Sequence, residues 1–137
     1  RIAKATGRHL HLIGPEDGPD GTTAHGLLCR EQVLTMMQGA KAVILTPQTN
    51  DVGLGAEGLG LVLLEAASMG VPAIGCDVGG VPEAIGPGLI LGDPDQPNGE
   101  RINQWLGDED RGKAAKEWVK LNHGPALCVS TIERAVR

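Results

Sequence analysis

Aromatic residues are almost missing from this sequence. Its 137 residues include two Trp and no Phe or Tyr, although 41% of them are hydrophobic. The chain has the length of a single domain, so any core must be built from aliphatic side chains. With 21 Gly and 9 Pro, it has material for many tight turns. This composition favours an α/β protein with short loops.

Positive charge and long apolar runs are also scarce. The net charge is −5 and Lys and Arg form no cluster, which argues against nucleic acid or an anionic membrane surface as the main partner. The longest apolar run, from Leu59 to Met69, is interrupted by Glu65 and Ser68. It is therefore far shorter than the roughly 20 apolar residues that span a bilayer.

Cysteine and histidine show no metal or catalytic spacing. Cys29, Cys76 and Cys128 are odd in number and far apart, and no C-x-x-C pair occurs. Free thiols in a reducing, cytoplasmic environment are the simplest interpretation. The four His residues form neither a metal-ligand pattern nor a triad, so we expect them to be structural or on the surface.

Short apolar runs alternate with helical patterns along the chain. This alternation predicts βαβ units, and hence a Rossmann-like parallel sheet that is flanked by helices. The first residues, R-I-A-K-A-T-G, resemble the end of a helix, so we interpret residues 1–137 as a partial domain of a longer chain. The predicted strands are His9–Ile13, Thr22–His25, Ala42–Leu45, Pro72–Cys76 and Gly88–Leu91, and the predicted helices are Arg30–Gln38, Leu59–Met69, Pro82–Ile85, Arg101–Leu106, Asp110–Leu121 and Pro125–Arg137.

The most informative stretch runs from Glu57 to Glu65 and reads E-G-L-G-L-V-L-L-E. An acid and a Gly-x-Gly turn lead into an apolar helix, which ends at Gly70, and a second glycine turn follows at Gly79-Gly80. A glycine turn that opens a helix exposes backbone N–H groups to an anion at close range. The stretch therefore predicts a phosphate site with two carboxylates beside it.

Each of these features also has a plainer explanation. Gly-x-Gly at a strand–helix junction is often only a tight turn, and Glu57 suits the first turn of any helix. Glu65 lies among Leu and Ala, where an unpaired carboxylate would be costly, so it should have a donor. A structural partner and a ligand hydroxyl explain Glu65 equally well.

Three segments together resemble a known family: Glu57–Ala66, then Gly70-Val71-Pro72, then Gly79-Gly80-Val81-Pro82-Glu83. They are similar to the C-terminal domain of the retaining GT-B glycosyltransferases, a group that includes glycogen and sucrose synthases and the phosphatidylinositol mannosyltransferases. The two glutamates, with seven residues between them, are the signature of that group. The order and spacing of the segments agree from Leu10 to Asp93-Pro94, so the resemblance implies an incomplete C-terminal half of a GT-B fold.

The resemblance implies a role for each matching position. Glu57 would face hydroxyls of the donor sugar as the catalytic residue, and Glu65 would hold the ribose hydroxyls. Gly26 and Leu27 would lie near the nucleotide base. The nucleotide sugar would be the co-substrate, with no separate cofactor and no metal. The donor diphosphate would lie against the backbone of Gly58, Leu59, Gly60, Leu61 and Val62.

One departure from the family affects the functional prediction. The family's domain begins with a further strand and helix that carry an Arg and a Lys for the diphosphate, and neither Arg1 nor Lys4 has that context. The acceptor-binding N-terminal domain, through which any membrane contact would run, is also absent from this sequence. The resemblance implies a metal-independent hexosyltransferase whose donor half is found here. A nucleotide-sugar 2-epimerase and a non-catalytic nucleotide-binding module are the alternatives.

Overall fold

The structure is a computed structural model that describes residues 1–47 and 58–124. The catalytic candidate Glu57, nearly all of the predicted loop from Pro47 to Glu57, and the predicted helix Pro125–Arg137 lie outside the described residues. Within those residues, no helix has the length and apolar character needed to cross a membrane.

Helices and short strands follow one another along the described chain. Their order is α1 Ile2–Thr6, β1 Leu10–Leu12, β2 Thr22–Ala24, α2 Arg30–Gly39, β3 Val43–Leu45, α3 Leu61–Ser68, β4 Ala73–Cys76, α4 Val81–Ala84, β5 Leu89–Leu91, α5 Gly99–Leu106 and α6 Arg111–Asn122. From β2 to α5, strands and helices alternate, as the sequence predicts, while β1 and β2 follow each other with no helix between them.

Local chemistry explains where several helices begin and end. Gly7 ends α1 in the left-handed conformation, with φ 67°, which glycine adopts without a steric penalty. Gly60 is also left-handed, with φ 71°, so α3 begins at Leu61 rather than at the predicted Leu59. Helix α5 begins two residues before its predicted start because the Asn98 side chain accepts a hydrogen bond of 3.0 Å from the Arg101 N–H.

All strand pairs are parallel, which confirms the predicted α/β class. Strand β1 pairs with β2, with Leu10 opposite Thr22. Strand β4 pairs with β3 on one side and with β5 on the other. The described strands therefore form one sheet of two strands and a second sheet of three.

The three-stranded sheet is covered on both faces around β4, whose four residues are all buried. On one face, Ala73 packs with Leu63 of α3 and Val81 of α4. On the other face, Ile74 packs with Ile102 and Trp105 of α5. The continuous apolar run Ala42–Leu45 predicts a parallel strand covered on both faces, but the residues of β3 are only half-buried because one side of the strand faces a cavity.

That cavity separates the two sheets and has a volume of about 1680 Å³. Strand β1 and its flanking residues line one side and β3 lines the other, with α1, α2 and α5 around them. Within residues 1–47 and 58–124, the β1 edge away from β2 and the β3 edge away from β4 pair with no strand. The two sheets of the described structure therefore face each other across a gap, which we call the inter-sheet gap.

Candidate functional site

The two glycine turns singled out in the sequence lie in direct contact. A Cβ added to Gly80 would overlap the carbonyl oxygen of Gly58 and would stand 2.8 Å from Cα of Leu59. Only a glycine lets the two backbones approach this closely. The second turn therefore supports the first, at the edge of the sheet where β4 ends and α3 begins.

Helix α3 presents one exposed face and one buried face. Leu63, Ala66 and Ala67 are buried against the sheet and its neighbours. Leu61 is 65% exposed, and Glu65 lies one turn further on along the same face. The carboxylate of Glu65 is thus at the surface of the helix, and the apolar neighbours that surround it in the sequence point elsewhere.

Glu65 has the donor that its position in the sequence demands. Nη2 of Arg30, the first residue of α2, lies 2.6 Å from Oε1 of Glu65. The Glu65 side chain is 31% exposed and the Arg30 side chain is 69% exposed. The apolar neighbours of Glu65 predict a donor but do not identify Arg30, because the two residues are 35 positions apart and no local pattern links them.

Gly26 and Leu27, the candidates for the nucleotide base, follow β2. Gly26 has φ 63°, and its N–H donates to the carbonyl of Pro15 at 2.7 Å. Its own carbonyl accepts from the Gly14 N–H at 2.7 Å, so the loops after β1 and β2 are held together. Leu27 is 93% exposed. The short segment from Leu27 to Arg30 connects this loop pair to Glu65.

Cys76 closes β4 at the same edge. Its thiol lies 3.5 Å from the carbonyl oxygen of Pro47, to which it donates, and this contact ties the ends of β4 and β3 together. Burial raises the pKa of the Cys76 thiol. We infer no nucleophilic role from it, because a buried thiol with a raised pKa is poorly reactive at neutral pH.

Histidines form a separate cluster on β1 and β2. Nδ1 of His11 lies 2.9 Å from Nε2 of His25, and Nε2 of His9 lies 2.8 Å from Oγ1 of Thr23. Across the part of the chain that the structure describes, no three His, Cys, Asp or Glu side chains are arranged to hold a metal ion. His9 and His11 are exposed, His25 is half-buried, and all three are hydrogen-bonded to their neighbours, in agreement with the structural or surface placement that we expected.

The structure thus brings together the glycine turns, the start of α3, Glu65 and an arginine. Arg1 does not lie at the glycine turns: its Nη1 pairs with Asp95 at 2.6 Å. The inter-sheet gap is a different feature from the glycine turns, although its lining extends to Val62 in the first turn of α3.

A parallel α/β sheet flanked by helices, with a supported glycine turn at the start of one helix, defines a Rossmann-like fold. This chain is similar in structure to AviGT4, a glycosyltransferase involved in avilamycin A biosynthesis. The TM-score is 0.76 at 23% identity, and the match covers 96% of this chain and 43% of the AviGT4 chain. The family model for group 1 glycosyl transferases matches residues 12–121. The chain belongs to the group 1 glycosyltransferase family.

Individual relatives match over a shorter stretch. A GDP-mannose-dependent α-(1-6)-phosphatidylinositol monomannoside mannosyltransferase of Mycobacterium tuberculosis is 38% identical over 80 residues, which cover 53% of this chain and 21% of that protein. A GDP-mannose-dependent monoacylated α-(1-6)-phosphatidylinositol monomannoside mannosyltransferase of Corynebacterium glutamicum is 37% identical over 68 residues, or 48% of this chain and 18% of that protein. The chain spans about a fifth of the length of the curated relatives it matches.

Proposed function

We propose that residues 1–137 supply most of the donor-binding half of a retaining, metal-independent hexosyltransferase. The observation that carries the proposal is the Gly58–Gly60 turn, supported by Gly80 and placed at the start of α3. Family membership supports a glycosyltransferase over the epimerase and the non-catalytic module.

The diphosphate of the donor binds at the glycine turn in this proposal. The first N–H groups of a helix have no partner within the helix, and its dipole favours negative charge there. Gly58, Leu59 and Gly60 form the turn, and Leu61 and Val62 begin the helix. Negative charge grows on the diphosphate as the glycosidic bond breaks, so donors fixed at this point lower the barrier.

Glu57 and Glu65 take different parts in the proposed reaction. Glu65 accepts hydrogen bonds from the ribose hydroxyls, which do not change as the sugar is transferred. Glu57 contacts the sugar ring, which gains positive charge in an oxocarbenium-like transition state. Gly26 and Leu27 lie by the base. The names of the relatives make GDP-mannose the first donor to test.

Steady-state kinetics on Glu57→Gln and Glu65→Gln test these roles in a protein that carries this chain together with an acceptor-binding domain. Glu65→Gln should raise the donor KM with little change in kcat, whereas Glu57→Gln should mainly lower kcat. A hydrogen bond to a charged group supports an effect of about ten- to a hundredfold in each case. The reverse split would exchange the two roles, and no effect from either change would refute both.

Two further assays address the rest of the proposal. The product made from an α-linked donor should keep the α configuration, as read by NMR, and inversion would refute the retaining mechanism. Transfer should persist in excess EDTA if no metal takes part. The 137-residue chain alone should transfer no hexose from GDP- or UDP-sugars. The reason is that residues 1–137 do not include the proposed acceptor-binding domain or the Arg and Lys that the family uses to bind the diphosphate.

A further inference from the structure

The ion pair between Arg30 and Glu65 is placed where it can control the donor site. It joins the first residue of α2 to the middle of α3, and its 2.6 Å separation is that of a charge-assisted hydrogen bond. Arg30 also follows the Gly26-Leu27 loop by only three residues. A single side chain therefore connects the two segments that the proposed function assigns to the base and the ribose.

The pair leaves part of the carboxylate available for a ligand. Nη2 of Arg30 contacts Oε1 of Glu65, and no other described residue has a hydrogen bond or ion pair with this carboxylate. A carboxylate has about four lone-pair sites, so Oε2 can accept hydroxyl hydrogens while Oε1 remains bound to the arginine. With one oxygen fixed, the other has a defined direction.

We propose that Arg30 is a positioning residue that holds Glu65 in the orientation needed to accept the ribose hydroxyls of a nucleoside diphosphate sugar. This inference rests on the proposed function. It adds that the preference for a ribonucleotide over a 2′-deoxyribonucleotide depends on Arg30, which does not itself have to contact the ligand. The Glu65 carboxylate stabilises a bound 2′-hydroxyl only if the carboxylate is already oriented toward that hydroxyl before the ligand binds.

The same pair could instead be an ordinary surface ion pair. Such pairs add little to stability when both side chains are partly in water, so removing Arg30 should leave the fold intact. The chain offers a matched control in Arg1 and Asp95, which are also 2.6 Å apart and exposed by 63% and 53%. Loss of either arginine should have a similar effect on folding, and only Arg30 should alter ligand discrimination.

The experiment measures dissociation constants by calorimetry for GDP and UDP and for their 2′-deoxy analogues. It uses the complete enzyme in wild-type form and as Arg30→Ala, Arg30→Lys, Glu65→Gln and Arg1→Ala. The wild type should prefer the ribonucleotide of its own base by about tenfold or more, the size expected for a hydrogen bond to a charged group. Arg30→Ala should reduce that preference to under about threefold by weakening only the ribonucleotide.

The three remaining variants separate the geometry of the pair from its charge and supply the controls. Arg30→Lys should recover only part of the preference, because an ammonium is a point charge and lacks the planar fork of a guanidinium. Arg1→Ala should keep the wild-type preference in full. Glu65→Gln should resemble Arg30→Ala.

The possible failures can be told apart. If Arg30→Ala keeps the wild-type preference, the positioning role is wrong and the proposed function stands. If the wild type binds nucleotide without any preference for ribose, the ribose role of Glu65 is wrong and the inference falls with it. If the wild type binds neither GDP nor UDP, the proposed function itself is refuted.

Discussion

The two sheets of this protein differ sharply in how they are covered. Strand β4 of the three-stranded sheet is buried along its whole length, whereas β1 and β2 are each exposed at their central residue. Within residues 1–47, Ala3 and Met37 are the fully buried hydrophobic residues, and the rest of the described core lies between Leu63 and Ala115. The sheet that carries the glycine turns is therefore the better buried half of the described structure, and we expect it to be the more rigid one.

This contrast has a physical meaning for ligand binding. The proposed phosphate site depends on close backbone approach and so needs a well-packed support, and side chains of β4, α3 and α4 pack together beneath it. The loop pair after β1 and β2 lies on the less covered sheet, where two backbone hydrogen bonds and the Arg30–Glu65 pair hold it. In the proposed donor site, the phosphate end would therefore rest on the well-buried sheet and the base end on the less covered one.

The largest expected effect is the difference in stability between two leucine-to-alanine variants, one at a buried leucine and one at a half-buried leucine. Leu63 is fully buried, so Leu63→Ala should reduce the free energy of unfolding by about 2–5 kcal/mol. Leu12 of β1 is only half-buried and lines the inter-sheet gap, so Leu12→Ala should cost about 1 kcal/mol or less. Urea denaturation of both variants measures the difference, and equal losses would mean that the two sheets are equally important for stability.

The second comparison tests the contact between the glycine turns. Gly80→Ala introduces a methyl group into the space of the Gly58 carbonyl, so the first turn must shift and donor turnover should fall by about a hundredfold. Gly92→Ala is the control, because no atom lies within 4 Å of the added Cβ and its φ is not in the left-handed region. Both variants are compared by kcat/KM for the donor in a protein that carries this chain together with an acceptor-binding domain. Similar values would show that the contact does not support the site.

Hydrogen exchange should show a smaller difference between the same two regions. Amides of β4 should exchange at least about tenfold more slowly than those of β1, because β4 is hydrogen-bonded on both sides under buried side chains. Mass spectrometry of peptides that cover Ala73–Cys76 and Leu10–Leu12 reports the rates. Equal protection would remove the proposed contrast in rigidity.

Thiol labelling tests the smallest of these expected differences, which is a difference in reaction rate between two cysteines. Cys29 is exposed and Cys76 is buried, so in a Cys128→Ser background Cys29 should react with iodoacetamide about tenfold faster at pH 8. The raised pKa of Cys76 adds to its protection, since less thiolate is present. The contribution of the protonated Cys76 thiol to stability is complete below about pH 8.5, which is the pKa of a cysteine in the unfolded chain. It is lost as the pH rises through the raised pKa of the folded state. Equal labelling rates would contradict the burial of β4.

The sequence predicted the elements better than their arrangement. Apolar runs and glycine stops identified β4, β5 and α3 to within two residues, because these signals are local. Pairing between strands is not local, and no periodicity revealed that β1 and β3 lack a common neighbour among the described strands.

The candidate site shows the same limit. Its glycines and Glu65 could be chosen from the sequence because the geometry of a turn and the cost of an unpaired carboxylate restrict the residue types allowed. Arg30 could not, since only the fold brings it to Glu65. The family resemblance, now confirmed by the match over residues 12–121, provided what local reasoning left open about the class of protein.

The inter-sheet gap has a practical consequence for anyone who prepares this chain. Strands β1 and β3 both line the gap, and each has one edge with no partner strand among residues 1–47 and 58–124. Open parallel edges of this kind act as templates that recruit strands from neighbouring molecules. We expect the purified chain to self-associate with increasing concentration, in a β-rich form that light scattering and thioflavin fluorescence would detect.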